Sequence, residues 1–513
     1  MISSKPRLNG LLTKPLLDRF PLNRCIPPAE LLDVLLEGTR LIGQHESERP
    51  SLTKRTLETA ERQARLWRDK GVTVISTESL SSPAAGLYEL PAALFAAGDL
   101  DQPRRPAVSI LNSRLEGRAF PDDPRLCATR VFFEHDIDPT FPMVSSYGTL
   151  SYDIVCRLCR VRRRPLIMVC PGPLPHMMCP KENEAFLFDY GDVVPERNAF
   201  FVSPFIPGSL PSRKQRLQTR DSLVGALSWE VRVGFVRPGG IMSSVARKSL
   251  KAALPVKVFV PGGALLERSD NHGIIEEFKL TADCLVTAQS AADSPQARDI
   301  APDRTGGTRG ESPLVLDAVL SDGRWLFHYT RAGSGPWPGQ SRGDYCSALI
   351  EGREGAGHTA FDTLVRILTE RKLRAGSDFI RGGNRTVSFT EIGPDRFSAL
   401  RRWRKGLAGW AVEPYGLALK RARLAKLGAQ PVVYGREEDY LKLDAGQRYL
   451  FQIRTGKAAD WTTEKEWRHE GDLSFDLLPG KDVRVIVPTT AEARLIKARF
   501  GFAVTLAATE AGK

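Results

Sequence analysis

Residues 231–263, VRVGFVRPGGIMSSVARKSLKAALPVKVFVPGG, carry the reading on which the fold turns. Val231, Val233, Phe235 and Val236 form a short apolar run that stops at Arg237-Pro238-Gly239-Gly240. Ser243 and Ser244 can cap the helix that follows, which carries Val245, Leu250 and Leu254 on one side. Val256, Val258 and Val260 then alternate as a second strand before Pro261-Gly262-Gly263. Strand, glycine turn, helix and strand in this order make a βαβ unit, which belongs to a parallel sheet with right-handed crossovers. The ligand of such a sheet sits where the strands end, beside the helix N-termini.

Working outward, the same alternation extends towards the N-terminus. Ala107-Val108-Ser109-Ile110-Leu111 is a buried-strand signal followed by Asn112-Ser113-Arg114, and a helix fits residues 124–133. Residues 142–144 lead into the small-residue turn Ser145-Ser146-Tyr147-Gly148-Thr149, then a helix over 150–160 and a strand over 166–169. A strand near 199–204 and a helix over 219–228 complete the approach to the glycine turn. The expected fold class is α/β, a doubly wound parallel sheet. Residues 1–100 read as a mostly helical N-terminal segment with one strand-like run at 71–76. Residues 287–313, rich in Ala, Ser, Asp, Gly and Pro, read as a linker. The expected domains are therefore 1–100, 101–286 and, beyond the linker, an α+β domain over 314–513.

Composition bounds the partners. The chain has 513 residues, 42% apolar and 26% charged, which suits a globular protein of two or three domains. No run of about 18 apolar residues predicts a membrane span, and no apolar segment precedes a cleavage site at the N-terminus, so a cytoplasmic protein is expected. The net charge of +13 favours an anionic partner, nucleic acid or a phosphorylated ligand. Basic residues cluster at 157–164, 213–220 and 396–405. Eight cysteines are too sparse for a disulfide scaffold. Cys156, Cys159, Cys170 and Cys179 lie close together, near His176, and read either as buried thiols or as a zinc set.

The block order resembles the Rossmann-like domain of the DNA-processing protein A (Smf) family, within the group that includes lysine-decarboxylase-like nucleotide hydrolases. Asn112-Ser113-Arg114 matches that family's Gly-Ser-Arg, and residues 145–153 match its next glycine-rich turn. Arg220-Asp221-Ser222, followed by Leu223-Val224-Gly225-Ala226-Leu227-Ser228, matches its Arg-Asn-Arg helix start, and residues 237–262 match its closing strand-turn-helix. The resemblance implies phosphate contacts from Ser113, Arg114, Ser146, Gly148, Arg220, Gly239, Gly240 and Ser243. Asn112, Tyr147, Leu150 and Ser222 depart from the family pattern and leave a nucleotide or nucleotide-derived ligand as the implied partner. Glycine-turn amides before a helix supply an anion site, to which Arg114 and Arg220 would add bidentate contacts.

Beyond the linker, strands are expected at 314–316, 325–330, 386–391, 430–434 and 484–488, with a helix at 359–372 carrying Phe361, Leu364, Ile367 and Leu368. His328-Tyr329-Thr330, that helix, the strand VSFTE and the motif WTTEKEWR together resemble proteins of phage-conflict loci with an ADP-ribosyltransferase-like domain. The resemblance implies that His328 positions a nicotinamide ribose, that Ser388 lies on the following strand, and that Glu464 or Glu466 acts at the glycosidic carbon, with NAD the cofactor such a site would take. Glu466 is preferred because Arg468 shares its strand face. His328 reads equally as a hydrogen-bonded core histidine, and Glu464, Glu466 and Arg468 as an ion-pair cluster.

These readings imply a protein of DNA modification, DNA processing or phage defence, working with other components of such a system. One lobe recognises a nucleotide or nucleic acid and the other modifies a nucleotide or base as a transferase or hydrolase. Two alternatives are a non-enzymatic single-stranded-DNA binder and a nucleotide hydrolase whose chemistry lies in the Rossmann-like lobe.

Overall fold

The valine-rich runs on either side of the glycine turn form neighbouring parallel strands, and the whole α/β sheet grows from them. The structure is a computed structural model that describes residues 62, 65–77, 80–91, 93–113, 119–134, 137–195, 198–205, 207, 210–260, 269–287, 320, 322–377, 380–401, 403–404, 409–454 and 461–507. The chain divides into two units. The first comprises residues 1–115, 121–301 and 341–352, the second residues 116–120, 302–340 and 353–513.

The first unit is built on nine strands: β1 Val72–Ser76, β2 Ala93–Gly98, β3 Val108–Leu111, β4 Met143–Ser146, β5 Leu166–Val169, β6 Ala199–Ser203, β7 Glu230–Val233, β8 Val256–Val260 and β9 Leu285–Thr287. Their spatial order is β1-β2-β6-β5-β4-β3-β7-β8-β9. Every neighbouring pair from β6 to β9 is parallel, while β1 and β2 add antiparallel strands at the β6 edge. The chain starts the parallel sheet at β3, builds β4 to β6 on one side, then crosses to β7 on the other. This is a Rossmann-like doubly wound sheet, with its topological switch point between β3 and β7. The central strands VSIL, MVSS and LIMV are buried throughout, as strands covered on both faces must be. The described part of residues 1–100, read from sequence as mainly helical, contributes β1 and β2; residues 1–61 lie outside the described residues.

The covering helices are α1 Pro124–Glu134, α2 Leu150–Arg162, α3 Pro180–Tyr190, α4 Arg213–Leu227, α5 Ile241–Lys251 and α6 Asn271–Phe278. Leu223, Leu227 and Val245 from α4 and α5 join Leu111, Val144, Ile167, Val233 and Val258 of the strands in one core, each contributing about 1.5–3 kcal/mol on full burial. Two helix starts differ from the sequence reading. Helix α4 begins at Arg213, because Ser212 and Gln215 form a reciprocal capping box. Helix α5 is capped by Gly240 and not by a serine, and Ser243 stands inside its first turn.

Helix α7, Arg342–Glu351, follows residues 302–340 of the second unit in sequence yet belongs to the first unit. Ser341 caps it, and Tyr345, Cys346 and Leu349 are fully buried. Arg157 Nε of α2 donates to Ser347 Oγ at 2.8 Å, Arg130 Nη1 of α1 to the Ile350 carbonyl at 3.0 Å, and the Gly343 amide to Asp192 Oδ2 at 3.0 Å. A Cβ on residue 343 would lie 2.5 Å from Asp192 Oδ2 and 2.8 Å from its carbonyl oxygen. Gly343→Ala is therefore expected to lower stability by about 1–3 kcal/mol through overpacking. A urea midpoint that does not move would show that α7 shifts freely on its neighbours.

The second unit is α+β. Its sheet takes β10 Trp325–Tyr329, β11 Thr386–Thr390, β12 Gly416–Lys420, β13 Gln430–Pro431, β14 Glu466–Glu470, β15 Val483–Val487 and β16 Ala503–Leu506 in the order β13-β14-β11-β10-β12-β15-β16. All pairs are antiparallel except β15 with β16. One face carries Leu326, Val387, Phe389, Leu417 and Trp467 under Leu364 and Leu368 of helix α8, Ala360–Glu370. The other carries Trp325, Phe327, Tyr329, Ala418 and Ile486. Among the described residues no helix is long and apolar enough to cross a membrane.

Candidate anion-binding cleft

At the switch point the loops after β3 and β7 are stitched together by side chains. Asn112 Oδ1 accepts from the Phe235 amide at 2.8 Å, and Asn112 Nδ2 donates to Thr129 Oγ1 at 2.9 Å. Only glycine fits at 234, since a Cβ there would lie 2.3 Å from Asn112 Oδ1. Ser113 Oγ accepts from the Arg237 amide at 2.8 Å, so this serine, expected at a phosphate, fixes the turn. Asn271 locks the same loop from below, accepting from the Val236 amide and donating to the Gly234 and Phe259 carbonyls. Arg114 lies outside the described residues.

The turn so held opens onto a cleft of about 390 Å³ lined by Gly239, Gly240, Ser243, Ser244, Arg247, Lys248, Lys251 and Asp270. Gly239 has a φ of +66°, a conformation that favours glycine, and brings the backbone to the start of α5. The first-turn amides of α5 have no acceptor within the helix and sit at its positive end. Three cations follow along the helix, Arg247, Lys248 and Lys251, over a length of about 16 Å from the cap. Arg247 pairs with Asp270 and, at 2.6 Å, with Glu277. Ser243 Oγ donates to Asp270 Oδ2 and accepts from Arg247. Burial alone would raise the Asp270 carboxyl, but its hydrogen bonds from Arg247 and Ser243 outweigh burial and hold it below the usual carboxylate range. Lys248 Nζ donates to the Leu87 carbonyl at 3.0 Å and lies 4.6 Å from the Tyr88 ring centroid.

The turn after β4 is arranged differently. Gly148, with φ +88°, donates its amide to Asp153 Oδ1 at 3.0 Å. Asp153 is fully buried at the start of α2, and its Oδ2 accepts from Arg342 Nη1 of α7 at 2.9 Å. Burial dominates and lifts this carboxyl to about 6 against the opposing pull of Arg342 and the Gly148 amide. Ser146 Oγ is already bonded to the Val169 carbonyl at 2.6 Å. An internal carboxylate thus occupies the glycine turn at which phosphate was expected. Arg220 is only 4% exposed, donates from Nε to Asp221 Oδ1 at 2.8 Å, and lies 4.8 Å from the Tyr152 ring centroid. Among the described residues its Nη1 has no hydrogen-bond partner.

Much of the basic clustering serves the fold. Arg157 and Arg160 donate to the carbonyls of Asp192, Gly191 and Val194, Arg164 to those of Phe133, Ile137 and Asp138, and Arg162 pairs with Glu134. Cys156, Cys159 and Cys170 are buried thiols pushed up by burial, and Cys179 is exposed at the cap of α3. Among the described residues no His, Cys, Asp and Glu cluster could hold a metal ion.

No protein-family model matches the chain, and no curated protein sequence does. Solved structures similar to it include DNA processing protein A from Streptococcus pneumoniae, 16% identical with a TM-score of 0.32 over 52% of this chain and 85% of that one. Another is DNA processing protein A from Helicobacter pylori, solved for its single-stranded DNA binding mode. It is 19% identical with a TM-score of 0.29, over 41% of this chain and 89% of that one.

In the second unit the four residues expected to be catalytic are not gathered at one point. Phe327 pairs with Thr390, Thr390 with Glu466, and Ser388 with Arg468, which puts Ser388 and Glu466 on the Phe327 face. His328 takes the opposite face, where its ring meets Phe389 edge-on at 5.9 Å. The Ser388 carbonyl lies 2.9 Å from its Nδ1, and burial pushes the imidazole below its ordinary pKa despite that bond. Glu466 is committed to Arg468, which is 2% exposed and donates to both carboxylate oxygens at 2.9 Å. Arg468 also donates to the Tyr449 and Phe451 carbonyls and to Gln452 Oε1. The Glu464 carbonyl accepts from Thr390 Oγ1.

The two Asp–Arg pairs, Asp153–Arg342 and Asp270–Arg247, were not singled out from sequence. Asp153 stands at the end of the small-residue turn, a legible position. Asp270 belongs to no motif and joins the cleft only through the fold.

Proposed function

We propose that the first unit recognises a phosphate-bearing ligand, a nucleotide or a nucleic-acid strand, in the cleft along α5. The observation that supports this reading is the junction, at the switch point, of a glycine turn, the open first turn of α5 and the cations Arg247, Lys248 and Lys251. The excess of positive charge agrees with such a partner. The role we propose is recognition within DNA processing or modification. The placements of His328, Ser388, Glu464 and Glu466 lend no support to NAD-dependent transfer in the second unit, so the proposal rests on the first.

The test is binding of a labelled single-stranded oligonucleotide to the full chain across a salt series. Log affinity should fall linearly with log salt. Replacing Lys248 and Lys251 together by alanine is expected to weaken binding and to reduce the slope by about 1.4, the release expected for two single-strand phosphate contacts. Unchanged affinity and slope in the double variant would overturn the assignment of this cleft.

A further inference from the structure

Resting on that reading, we infer that the cleft selects ribose over deoxyribose, with Asp270 accepting hydrogen bonds from sugar hydroxyls. The ligand class is then a ribonucleotide or an RNA strand. A cleft shaped only for phosphate would be lined by donors, yet this one includes a carboxylate at the first turn of α5. An ionised carboxylate is an acceptor only, with about four lone-pair sites on two oxygens. Among the described residues Ser243 and Arg247 take up Oδ2 and Arg247 Nη2 lies 3.3 Å from Oδ1, three donors for about four sites. A phosphate at that spot would meet like charge, whereas a neutral hydroxyl brings the donor the carboxylate lacks. Acidic side chains serve ribose hydroxyls in this way in dinucleotide-binding folds.

The carboxylate is held in place. The Asp270 amide donates to the Val236 carbonyl at 2.7 Å, and the next residue, Asn271, bonds the same loop. Its ionised form is secured by Arg247 and Ser243. Lys248 and Lys251 lie further along α5, about 7.5 and 12 Å in axial rise from Ser243. Their side chains lean back towards the helix N-terminus. A sugar at Asp270 would therefore carry its phosphate towards the lysines and the open amides.

Titration calorimetry of the full chain with adenosine 5′-monophosphate, its 2′-deoxy counterpart, and hexamers of riboadenylate and deoxyadenylate tests this. The ribose member of at least one pair should bind about tenfold tighter than its deoxy partner, the scale of a hydrogen bond to a charged group. Asp270→Asn should bring that ratio close to one. A ribose preference in the monophosphates alone identifies a free nucleotide as the ligand, and one in the hexamers alone identifies a strand. Equal affinities within both pairs for the wild-type chain would overturn the inference while leaving phosphate recognition intact, and this comparison decides even if the variant is unstable. A ribose preference that survives undiminished in Asp270→Asn would also overturn it. Binding of none of the four would overturn the phosphate reading as well.

Discussion

Arg468→Ala is expected to destabilise the second unit by about 3–5 kcal/mol, the range for removing one partner of a buried ion pair. The guanidinium is almost fully enclosed and meets both oxygens of Glu466, two carbonyls and Gln452. Its loss strands the Glu466 carboxylate and two backbone acceptors together, and alanine leaves a cavity besides. Arg468→Lys is expected to recover only part of the loss, because an ammonium cannot match the two parallel bonds of the fork. Urea unfolding followed by tryptophan emission reads this through Trp467, buried on the same strand. A loss below about 1 kcal/mol would mean that solvent reaches the pair. The same geometry governs Glu466: a functional defect in Glu466→Gln must be measured beside its stability, since that change also leaves Arg468 without its anion.

The second large effect is a pH dependence. Asp153 has a carboxyl lifted to about 6 in the folded unit, well above an unfolded aspartate at about 3.9. The folded state therefore binds the proton more tightly, and the stabilisation from this group is complete below the unfolded value. It is lost as pH rises through the folded value. The shift of roughly two units corresponds to about 3 kcal/mol between pH 4 and pH 8. Asp153→Asn removes the titration, so wild type minus variant isolates it from carboxylates such as Asp270, which titrate in the opposite sense. Hydrogen exchange of the α2 amides at pH 5 and pH 7.5 measures the difference. Parallel pH profiles for wild type and variant would refute the assignment.

The sheet was legible because its central strands are buried on both faces and read as unbroken apolar runs between glycine turns. The runs at 166–169 and 256–260 needed nothing from the rest of the chain. Long-range pairings are where reading from sequence stops. Asp153 meets an arginine 189 residues away, and no local pattern announces that partner. Arginines 157–164 look like a phosphate-binding patch in one dimension, yet most are held by carbonyls of neighbouring loops. His328 was recognisable as a strand histidine, but the register of Phe327 on Thr390 decides that Ser388 and Glu466 lie across the sheet from it.

Helix α7 gives the polypeptide an unusual order of assembly. The first unit is complete only when residues 341–352 have been synthesised, after the chain has already entered the second unit and before it returns there at residue 353. A fragment ending before residue 341 would expose the surface that Tyr345, Cys346 and Leu349 cover and leave Asp153 without Arg342. Synthesis from the N-terminus therefore leaves the first unit without this helix until residue 352 has been added. Dissection of this protein into halves must carry that helix, as a thirteenth-hour guest, with the half that precedes it.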